Sequence, residues 1–346
     1  MKLKSLLIGS AALAAAATGA KAADPIVVPE PEPMEYVRVC DVYGAGFFYI
    51  PGTETCLKIG GMVRYQIDWH ENDDGWKKYA RGELNIDARS ETEYGTLGGF
   101  IKLRASSASG LPTPTPGLND GGFLSNGIVS SGVNLQQAII SLGGLSMGMS
   151  DTLYDAALSG EFDSGGGDRV HFIRYDFAAG NGVTVSLAVE EADSNYDYTP
   201  NVVGKLGVSQ GWGSVDGWVA YDATAEEWAA KAIAKIKATQ QLSLELLGTY
   251  ESGHSFYSVS WDAITGYEYS LGGYVKYAAT PKLSVGFGGQ YFGDQHASGN
   301  DDWAIGGVVD YALVENFNTK LAVNYFDGDS ASDGYFKGFI RFQRDF

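Results

Sequence analysis

Apolar and polar residues alternate along most of this chain. In the segment 57–69, one set of alternate positions is Leu57, Ile59, Gly61, Val63, Tyr65, Ile67 and Trp69, and the other is Lys58, Gly60, Met62, Arg64, Gln66 and Asp68. A period of two residues predicts a β-strand with one apolar and one polar face. The segment 79–92 repeats the pattern, with charges or amides at most polar positions. Such long strands are typical of a wall that separates lipid from a water-filled lumen.

Sixteen segments show this pattern in longer or shorter form. They are 57–69, 79–92, 96–105, 133–142, 145–150, 169–177, 183–190, 202–209, 214–222, 228–237, 241–250, 267–278, 283–292, 302–312, 317–326 and 335–346. Short turns such as Gly143-Gly144 and Asn181-Gly182 alternate with long connections such as 151–168 and 251–266. The sequence therefore predicts an all-β fold, a transmembrane antiparallel β-barrel of sixteen strands with short periplasmic turns and long outer loops.

One of these segments has a composition that also fits a helix. Residues 224–237 are rich in Ala, Glu and Lys, which favour helices. Within that segment, Ala230, Ala232, Ala234 and Ile236 alternate with Lys231, Ile233, Lys235 and Lys237. We predict a strand here because this alternation has the period of two residues that is typical of strands.

The first residues have the form of an export signal. Lys2 and Lys4 precede a small and apolar stretch, 5–20, and Ala20-Lys21-Ala22 matches the small-residue cleavage pattern. We therefore predict a signal peptide over 1–22 and a mature chain that starts at Ala23. Because 23–35 is rich in Pro and Glu, we expect 23–56 to be a periplasmic N-terminal arm and 57–346 to be the barrel.

The two cysteines, Cys40 and Cys56, lie in the predicted arm. In an exported chain two cysteines at this spacing predict a disulfide, because the compartment outside the cytoplasm is oxidising. Two unpaired buried thiols are the alternative. A metal site is disfavoured, since no histidine is close in sequence.

Charge and motifs exclude several classes of function. The formal net charge of −18 argues against nucleic acid as a partner, because binding it requires lysines and arginines to neutralise phosphates. The chain has no zinc-protease, phosphate-loop or dinucleotide-binding motif, and its four histidines form no recognisable catalytic pair. We predict no enzyme activity, no cofactor and no metal site.

Two stretches carry a resemblance to a known family. Residues 37–61 and the ending FIRFQRDF resemble the outer-membrane porins of alphaproteobacteria, of the Rhizobiales type. This resemblance implies a homotrimer in the bacterial outer membrane, passive diffusion of small hydrophilic molecules and ions, and a third outer loop folded into the lumen. The alternatives are a substrate-specific outer-membrane channel, or a structural, adhesive or enzymatic barrel. A specific channel would have an aromatic track, and the predicted lumen face has only isolated aromatic residues such as Tyr274 and Phe292.

If the third loop folds inward, oppositely charged groups meet in the lumen. The predicted basic wall consists of Arg64, Arg81, Lys102, Arg104, Lys337 and Arg341, and the predicted acidic loop carries Asp151, Asp155, Glu161, Asp163 and Asp168. Facing charges of opposite sign set up a transverse field that disfavours apolar solutes. The alternative is that the arginines simply hydrate a wide lumen. Acidic outer loops lead us to expect a weak preference for cations.

The predicted outer faces of the late strands carry aromatic residues such as Tyr250, Tyr277 and Phe287, which suit contact with lipid headgroups, and those of the second to fifth strands lack them. The apolar positions of this wall include Ala80, Gly82, Leu84, Ile86, Leu97, Gly99, Ile101, Ala138 and Ile140. Small and aliphatic residues suit close contact with another subunit, so this wall predicts an oligomer interface, which the resemblance implies is that of a trimer. The other predicted partners are outer-membrane lipid, lipopolysaccharide, and small hydrophilic solutes and ions.

Overall fold

The computed structural model describes residues 38–109, 123–125, 128–192, 198–261 and 264–346. The predicted signal peptide and the Pro-rich start of the arm lie outside these residues. In the part of the chain that is described, no helix is long and apolar enough to cross a membrane.

Within the described residues, sixteen long strands belong to one antiparallel sheet. They are β1 Cys56–His70, β2 Lys77–Thr92, β3 Gly95–Ser109, β4 Asn134–Leu142, β5 Leu145–Asp151, β6 Arg169–Gly180, β7 Val183–Glu191, β8 Asn201–Gln210, β9 Gly213–Asp222, β10 Glu227–Lys237, β11 Leu242–Glu251, β12 Tyr267–Ala278, β13 Leu283–Gln295, β14 Asp302–Val314, β15 Phe317–Gly328 and β16 Tyr335–Asp345. The predicted strand count is confirmed, and the segment with helix-like composition is strand β10.

Pairing of the last strand with the first closes the sheet into a barrel. Each strand pairs with its neighbour in sequence, and β16 pairs with β1 in a register that places Arg341 opposite Gln66. The last residue continues this pairing, because Phe346 and Gly61 exchange backbone hydrogen bonds of 2.9 and 3.1 Å. A closed barrel has no free strand edge, so the backbone of every strand is hydrogen-bonded on both sides.

The connections differ in length between the two ends of the barrel. At the turn end they hold two to four residues, as at Gly143-Gly144, and at the loop end most are longer. Asn181 and Gly182 both have positive φ, 50° and 74°, in the tight turn between β6 and β7. Asn and Gly tolerate this conformation, which suits a two-residue hairpin. The predicted alternation of short turns and longer loops is confirmed.

Side chains alternate between the inside and the outside of the barrel. In β7, Val185, Leu187 and Val189 are 42%, 58% and 39% exposed, whereas Ser186, Ala188 and Glu190 between them are at most 8% exposed. The apolar face therefore points outward, as in a strand surrounded by lipid. Predicted outer aromatics such as Tyr250, Tyr277 and Phe287 are exposed on the same side.

The arm before β1 forms a small folded unit at the turn end. Cys40 and Cys56 form the predicted disulfide, and together with Phe47 they make a buried apolar cluster. The short strand Phe48–Tyr49 pairs with the start of β1. The guanidinium of Arg89, on β2, lies 5.2 Å from the centre of the Phe47 ring, which ties the arm to the second strand.

The inward faces of the later strands are covered by two chain segments. One is the connection between β5 and β6, residues 152–168, called here the inner loop. The other is the cover segment, residues 252–261, which follows β11. Tyr154, Leu158 and Phe162 of the inner loop and Tyr257 and Trp261 of the cover segment belong to one buried cluster. This cluster makes the inside of the β7–β15 wall a packed core, while the β1–β3 wall keeps half-exposed polar side chains.

Candidate functional site

The inner loop lies within the lumen and is hydrogen-bonded to strands far away in sequence. The backbone N–H and the hydroxyl of Ser159 each donate to the carboxylate of Glu245, on β11, at 2.7 Å. Gln290, on β13, accepts from the N–H of Ser164 at 2.8 Å and donates to its carbonyl at 2.9 Å. The inner loop is therefore fixed on the inside of the barrel against β11 and β13. This matches the infolded third loop that the family resemblance implied.

A single buried lysine holds both arms of the inner loop. The ammonium of Lys231, on β10, donates to the carbonyl oxygens of Ala156 and Gly165 at 2.9 and 2.8 Å, and also to that of Tyr154. Lys231 is only 3% exposed. Three carbonyl acceptors satisfy the three donors of an ammonium group, which makes burial of this charge tolerable.

A buried carboxylate on β7 fixes the start of the inner loop. Glu190 accepts hydrogen bonds from the hydroxyl of Thr152 at 2.5 Å and from the N–H of Leu153 at 2.8 Å. Glu190 is 1% exposed. Hydrogen bonds to an ionised acceptor are stronger than neutral ones, so this contact sets where the loop leaves the barrel wall.

The tip of the inner loop packs where β13 and β14 carry glycines. A Cβ atom on Gly288 would lie 2.8 Å from the ring of Phe162, and one on Gly306 would lie 3.1 Å from the Phe162 Cβ. Any larger side chain at these positions would displace the loop. Phe162 is 2% exposed, and its ring lies 6.2 Å from that of Tyr274. The two glycines thus allow the loop to lie directly on the barrel wall.

The predicted basic wall lies on the inner faces of β1, β2, β3 and β16. Arg64 is directly opposite Arg81 in the β1–β2 register, and Arg104 of β3 is opposite Glu83 of β2. Glu83, which we did not predict as a site residue, binds Arg104 at 2.8 Å and lies 3.9 Å from Lys102. The pairing of β2 with β3 places Glu83 directly opposite Arg104, which explains this contact.

The two predicted basic residues of β16 reach the same side of the lumen. Arg341 donates to the side-chain oxygen of Gln66 at 2.6 Å, and its guanidinium lies 3.3 Å from the carboxylate of Glu161. The ammonium of Lys337 lies 4.0 Å above the ring of Phe326. The Arg341–Glu161 contact therefore joins the basic wall to the tip of the inner loop.

The five predicted acidic residues occupy different environments. Glu161 binds Lys320, on β15, at 2.8 Å as well as Arg341. Asp151, Asp155 and Asp168 are exposed near the two ends of the inner loop and are close enough to interact electrostatically. Glu161 therefore contacts a predicted basic-wall residue, Arg341.

The fifth acidic residue, Asp163, turns back into the loop. Its carboxylate accepts a hydrogen bond from the N–H of Leu158. Burial raises the pKa of Asp163 to about 7, and the hydrogen bonds to the loop backbone offset part of that rise. Asp163 therefore acts on the conformation of the loop rather than on the charge that faces the basic wall.

Sequence patterns alone gave no reason to select the groups that anchor the loop. The sequence indicates only that Lys231, Glu190 and Glu245 lie on the polar faces of predicted strands. Their partners are backbone groups of the inner loop that are 37 to 86 residues distant in sequence. Alternation shows that such a residue points inward, but it does not show which segment it binds.

The predicted oligomer wall forms a continuous patch on the outside of β2, β3 and β4. Leu84, Leu97, Ile101 and Ile140 are 36% to 61% exposed. The register places Ile86 beside Ile101 and Gly99 beside Ile140. Gly82 and Gly99 face open space, since no atom lies within 4 Å of a Cβ built on either.

Aromatic side chains on the lumen side of the late strands pack against one another. The ring of Trp261 lies 6.0 Å from that of Phe326 and 6.2 Å from that of Tyr335, and the rings of Phe326 and Tyr335 stack at 5.7 Å. All three side chains are at most 7% exposed. Phe326 and Tyr335 fill the core beneath Trp261 of the cover segment, and none of the three rings offers an open face to a passing solute.

Comparison with known proteins agrees with this architecture. The family model described as "Porin subfamily" matches residues 24–343. The chain is 38% identical to porin Omp2a of Brucella suis biovar 1 and 39% identical to porin Omp2b of Brucella abortus, each over 100% of both chains.

Solved structures of low sequence identity share the fold. One is a loop-deletion mutant of OmpT, an outer membrane protein of Vibrio cholerae, with a TM-score of 0.61 and 12% identity over 85% of this chain and 100% of that chain. Another is a mutant of the Rhodopseudomonas blastica porin, with a TM-score of 0.56 and 16% identity over 84% and 100%.

Proposed function

Because this chain belongs to the porin family, we propose that solutes cross its barrel by passive, general diffusion along the basic wall. The protein is an outer-membrane porin, a channel rather than an enzyme. The open path that we propose runs between the basic wall of β16, β1, β2 and β3 and the inner loop. The observation that carries this proposal is the packing of the inner loop against the opposite wall, through Lys231, Glu245 and Gln290.

The narrowest part of the proposed path lies where the loop tip approaches the basic wall. Glu161 reaches Arg341 at 3.3 Å, and Arg64, Arg81 and Arg104 extend the positive charge along β1–β3. Opposite charges on two sides of a narrow water-filled path orient water across it. Such a field favours small hydrophilic solutes and disfavours apolar ones, which would have to displace the oriented water.

General diffusion is preferred over a substrate-specific channel because of the environment of the aromatic rings. A specific path for sugars would need ring faces in contact with the lumen. Trp261, Phe326 and Tyr335 are instead packed against one another. The basic wall carries guanidinium, ammonium, amide and carboxylate groups, which hydrate well and bind no single solute class. The rings of Tyr79 and Phe339 on this wall each lie under a guanidinium, that of Arg81 at 5.2 Å and that of Arg341 at 4.3 Å.

Conductance in planar lipid bilayers tests the proposal directly. We expect the purified protein to form open channels whose current rises linearly with voltage and with salt concentration. Swelling of liposomes in neutral sugars of increasing size should then fall off with solute size, independently of sugar stereochemistry. Saturable, stereoselective uptake of one sugar would favour the substrate-specific alternative, and the absence of any conductance would overturn the proposal.

We also propose that the assembly is a homotrimer whose subunits meet through the oligomer wall of β2–β4. The exposed aliphatic side chains Leu97, Ile101 and Ile140, together with the open surface at Gly82 and Gly99, support this. The remaining outer faces carry exposed aromatics and contact lipid, with lipopolysaccharide the proposed partner on the outer leaflet. Cross-linking in mild detergent tests the subunit number, and co-purified lipopolysaccharide tests the lipid partner.

We also propose that the chain is exported with a signal peptide that is then removed. A signal peptide over 1–22 would direct the chain out of the cytoplasm, 23–56 would be the periplasmic arm, and 57–346 the barrel. The disulfide of the arm is consistent with an oxidising compartment. N-terminal sequencing of the protein purified from outer membranes should begin at Ala23, and a sequence that began at Met1 would contradict this boundary.

A further inference from the structure

The cover segment 252–261 lies inside the barrel although it belongs to an outer connection. Tyr257, Val259 and Trp261 are 0%, 1% and 3% exposed. Sequence patterns predicted only a long outer loop here. A segment with three apolar side chains buried this completely has a fixed position, because exposing them would cost the free energy of their burial.

The cover segment is attached to the barrel wall at several points. The N–H of Val259 donates to Glu251, at the end of β11, at 2.7 Å. The N–H of Phe256 donates to Asp222, at the end of β9, also at 2.7 Å. With the ring packing of Trp261 against Phe326, these contacts anchor the segment to three parts of the wall.

The same segment contacts the start of the inner loop. The hydroxyl of Tyr257 donates to Glu190 at 3.1 Å, and it uses the carboxylate oxygen that also accepts from Thr152. The rings of Tyr257 and Tyr154 meet edge to face at 5.3 Å. One tyrosine of the cover segment thus touches both the first residues of the inner loop and the wall group that holds them.

The cover segment also contacts the end of the inner loop. The N–H of Ser260 donates to the hydroxyl of Ser164 at 3.1 Å. Gly166 has φ of +75°, and a Cβ atom built on it would lie 2.1 Å from the carbonyl oxygen of Tyr257. Only glycine fits there, both because of its positive φ and because the two backbones are in direct contact.

We propose that the cover segment is a positioning element of the channel: it holds the inner loop against the β7–β13 wall, with Tyr257 as its principal contact. The segment contacts the ends of β9 and β11, β15 and the inner loop, and its Trp261 lines a small cavity together with Lys337 of β16. Residues outside the arginine part of the basic wall therefore set how far the inner loop stays from Arg64, Arg81 and Arg104. This inference rests on the proposed diffusion path, because it assigns the width of that path to a second loop.

Substitution of Tyr257 tests the role of this contact. In Tyr257→Phe the ring stays and the hydrogen bond to Glu190 is lost, and in Tyr257→Ala both are lost. Loss of a hydrogen bond to a charged acceptor shifts an equilibrium about tenfold, so displaced positions of the inner loop should be populated about tenfold more often. We expect more frequent transitions between conductance levels and a changed mean conductance, with Ala exceeding Phe.

A tyrosine in another outer connection provides the matched control. Tyr198 is 100% exposed, so Tyr198→Ala removes the same side chain without removing a packing contact. Its single-channel traces should match those of the unmodified protein. A heat-modifiable band on gels and a β-type circular dichroism spectrum would establish that each variant is a folded barrel before its currents are compared.

A cross-link between the two segments distinguishes positioning from a general loss of stability. Ser164 and Ser260 have hydroxyl oxygens 3.5 Å apart, so cysteines at both positions should form a disulfide. In the Tyr257→Ala background, the oxidised pair Ser164→Cys and Ser260→Cys should restore the steady conductance, and reduction should remove it again. The protein without added cysteines, treated with the same reductant, controls for the Cys40–Cys56 disulfide.

The outcomes separate this inference from the proposed function. Without conductance in the unmodified protein, the diffusion path itself would be wrong. If the unmodified protein conducts and folded Tyr257→Ala has the same conductance and transition frequency, the positioning role of the cover segment is wrong. A restored current only in the oxidised double-cysteine variant would support it.

Discussion

The ammonium of Lys231 donates a hydrogen bond of 2.8 Å to the carbonyl oxygen of Gly165, across the lumen side of β10. The same ammonium also binds Ala156, in the other arm of the inner loop. One charged group therefore closes the base of the loop. Its position in the middle of a strand fixes the loop at mid-height in the barrel.

The first prediction removes this group. Lys231→Met keeps an apolar stem of similar length but leaves three loop carbonyls without their donor. We expect the inner loop to be destabilised by about 3 kcal/mol, because each unpaired carbonyl costs part of its desolvation. Single-channel recording should then show unsteady conductance.

An exposed lysine of the same strand is the control for this variant. Lys237→Met, at the turn end of β10, removes the same charge without touching the loop. It should leave the recordings unchanged. Steady, unaltered currents in folded Lys231→Met would mean that the remaining contacts hold the loop without it.

Much of the fold could be predicted from the alternation of apolar and polar residues, whereas the contacts of the loops could not. The strand count, the turn at Asn181-Gly182 and the direction of Arg64 all depend on a period of two, which the sequence displays residue by residue. Whether Glu190 binds Thr152, or Tyr257 covers Glu190, depends on how irregular segments fold across the lumen. Those segments have no period, so their contacts appear only when the barrel is closed.

The acidic residues of the inner loop also show that sequence patterns do not predict the contacts of an irregular segment. Counting carboxylates placed five acids opposite the basic wall, and alternation predicted which arginines point inward. A loop without regular structure can turn each side chain in its own direction. Asp163 bonds to Leu158 within the loop, and Glu161 bonds to Arg341 across the lumen, although only one residue separates the two.

The second prediction concerns pH and follows from Asp163. Burial raises the pKa of its carboxyl from 3.8 to about 7 in the packed loop. Below 3.8 the carboxyl is neutral whether the loop is packed or displaced. Between 3.8 and about 7 it ionises first in the displaced loop, so the packed loop loses stability as pH rises, and above about 7 the loss is complete.

Current transitions should therefore become more frequent as pH rises through this window. Asp163→Asn keeps an oxygen acceptor for Leu158 and cannot ionise, so its transition frequency should be independent of pH there. Asp168→Asn, an exposed acid at the end of the same loop, should retain the dependence of the unmodified protein. The same pH profile in Asp163→Asn as in the unmodified protein would rule out this carboxyl as the cause.

The third prediction concerns ion selectivity. Arg64→Gln with Arg104→Gln removes two positive charges from the basic wall and keeps polar side chains in their place. We expect the reversal potential in a salt gradient to shift toward cation preference, more strongly at low salt, because screening at about 0.15 M salt acts over about 8 Å. The unmodified protein should show a weak cation preference.

The control for selectivity removes two charges that lie outside the basic wall, at the turn end of the barrel. Lys237→Gln with Lys282→Gln alters two turn-end positions, and its reversal potential should change less. An equal shift in both double variants would mean that net charge, and not the basic wall, decides selectivity. No shift in the arginine variant would argue that Arg64 and Arg104 only hydrate a wide lumen.

The fourth prediction is that the disulfide of the arm stabilises the arm without affecting conductance through the pore. Replacing Cys40 and Cys56 by serine opens a loop with a sequence separation of 16 residues. In the chain-entropy model such a closure contributes about 3 kcal/mol to stability. We expect faster proteolysis of the arm and unchanged conductance, since the arm packs on Arg89 at the turn end rather than on the inner loop. A large conductance change would show that the arm reaches the diffusion path.

The last prediction concerns assembly and compares glycines on two sides of the barrel. Gly82 and Gly99 lie on the outer faces of β2 and β3, and Gly204 lies on β8, between the exposed residues Val202 and Leu206. All three have open space where a Cβ would stand. A glutamate at any of them therefore fits the isolated barrel without a steric clash.

These glutamates should differ in their effect on the oligomer. If β2–β4 form the interface, Gly82→Glu and Gly99→Glu bury a carboxylate against another subunit without a partner, which is strongly unfavourable. Gly204→Glu instead faces lipid, where its effect falls on membrane insertion and not on subunit contact. On mild-detergent gels the first two variants should run as monomers that still conduct, while Gly204→Glu remains oligomeric. Dissociation by Gly204→Glu, with intact oligomers from both interface variants, would move the subunit contact to the wall around β8.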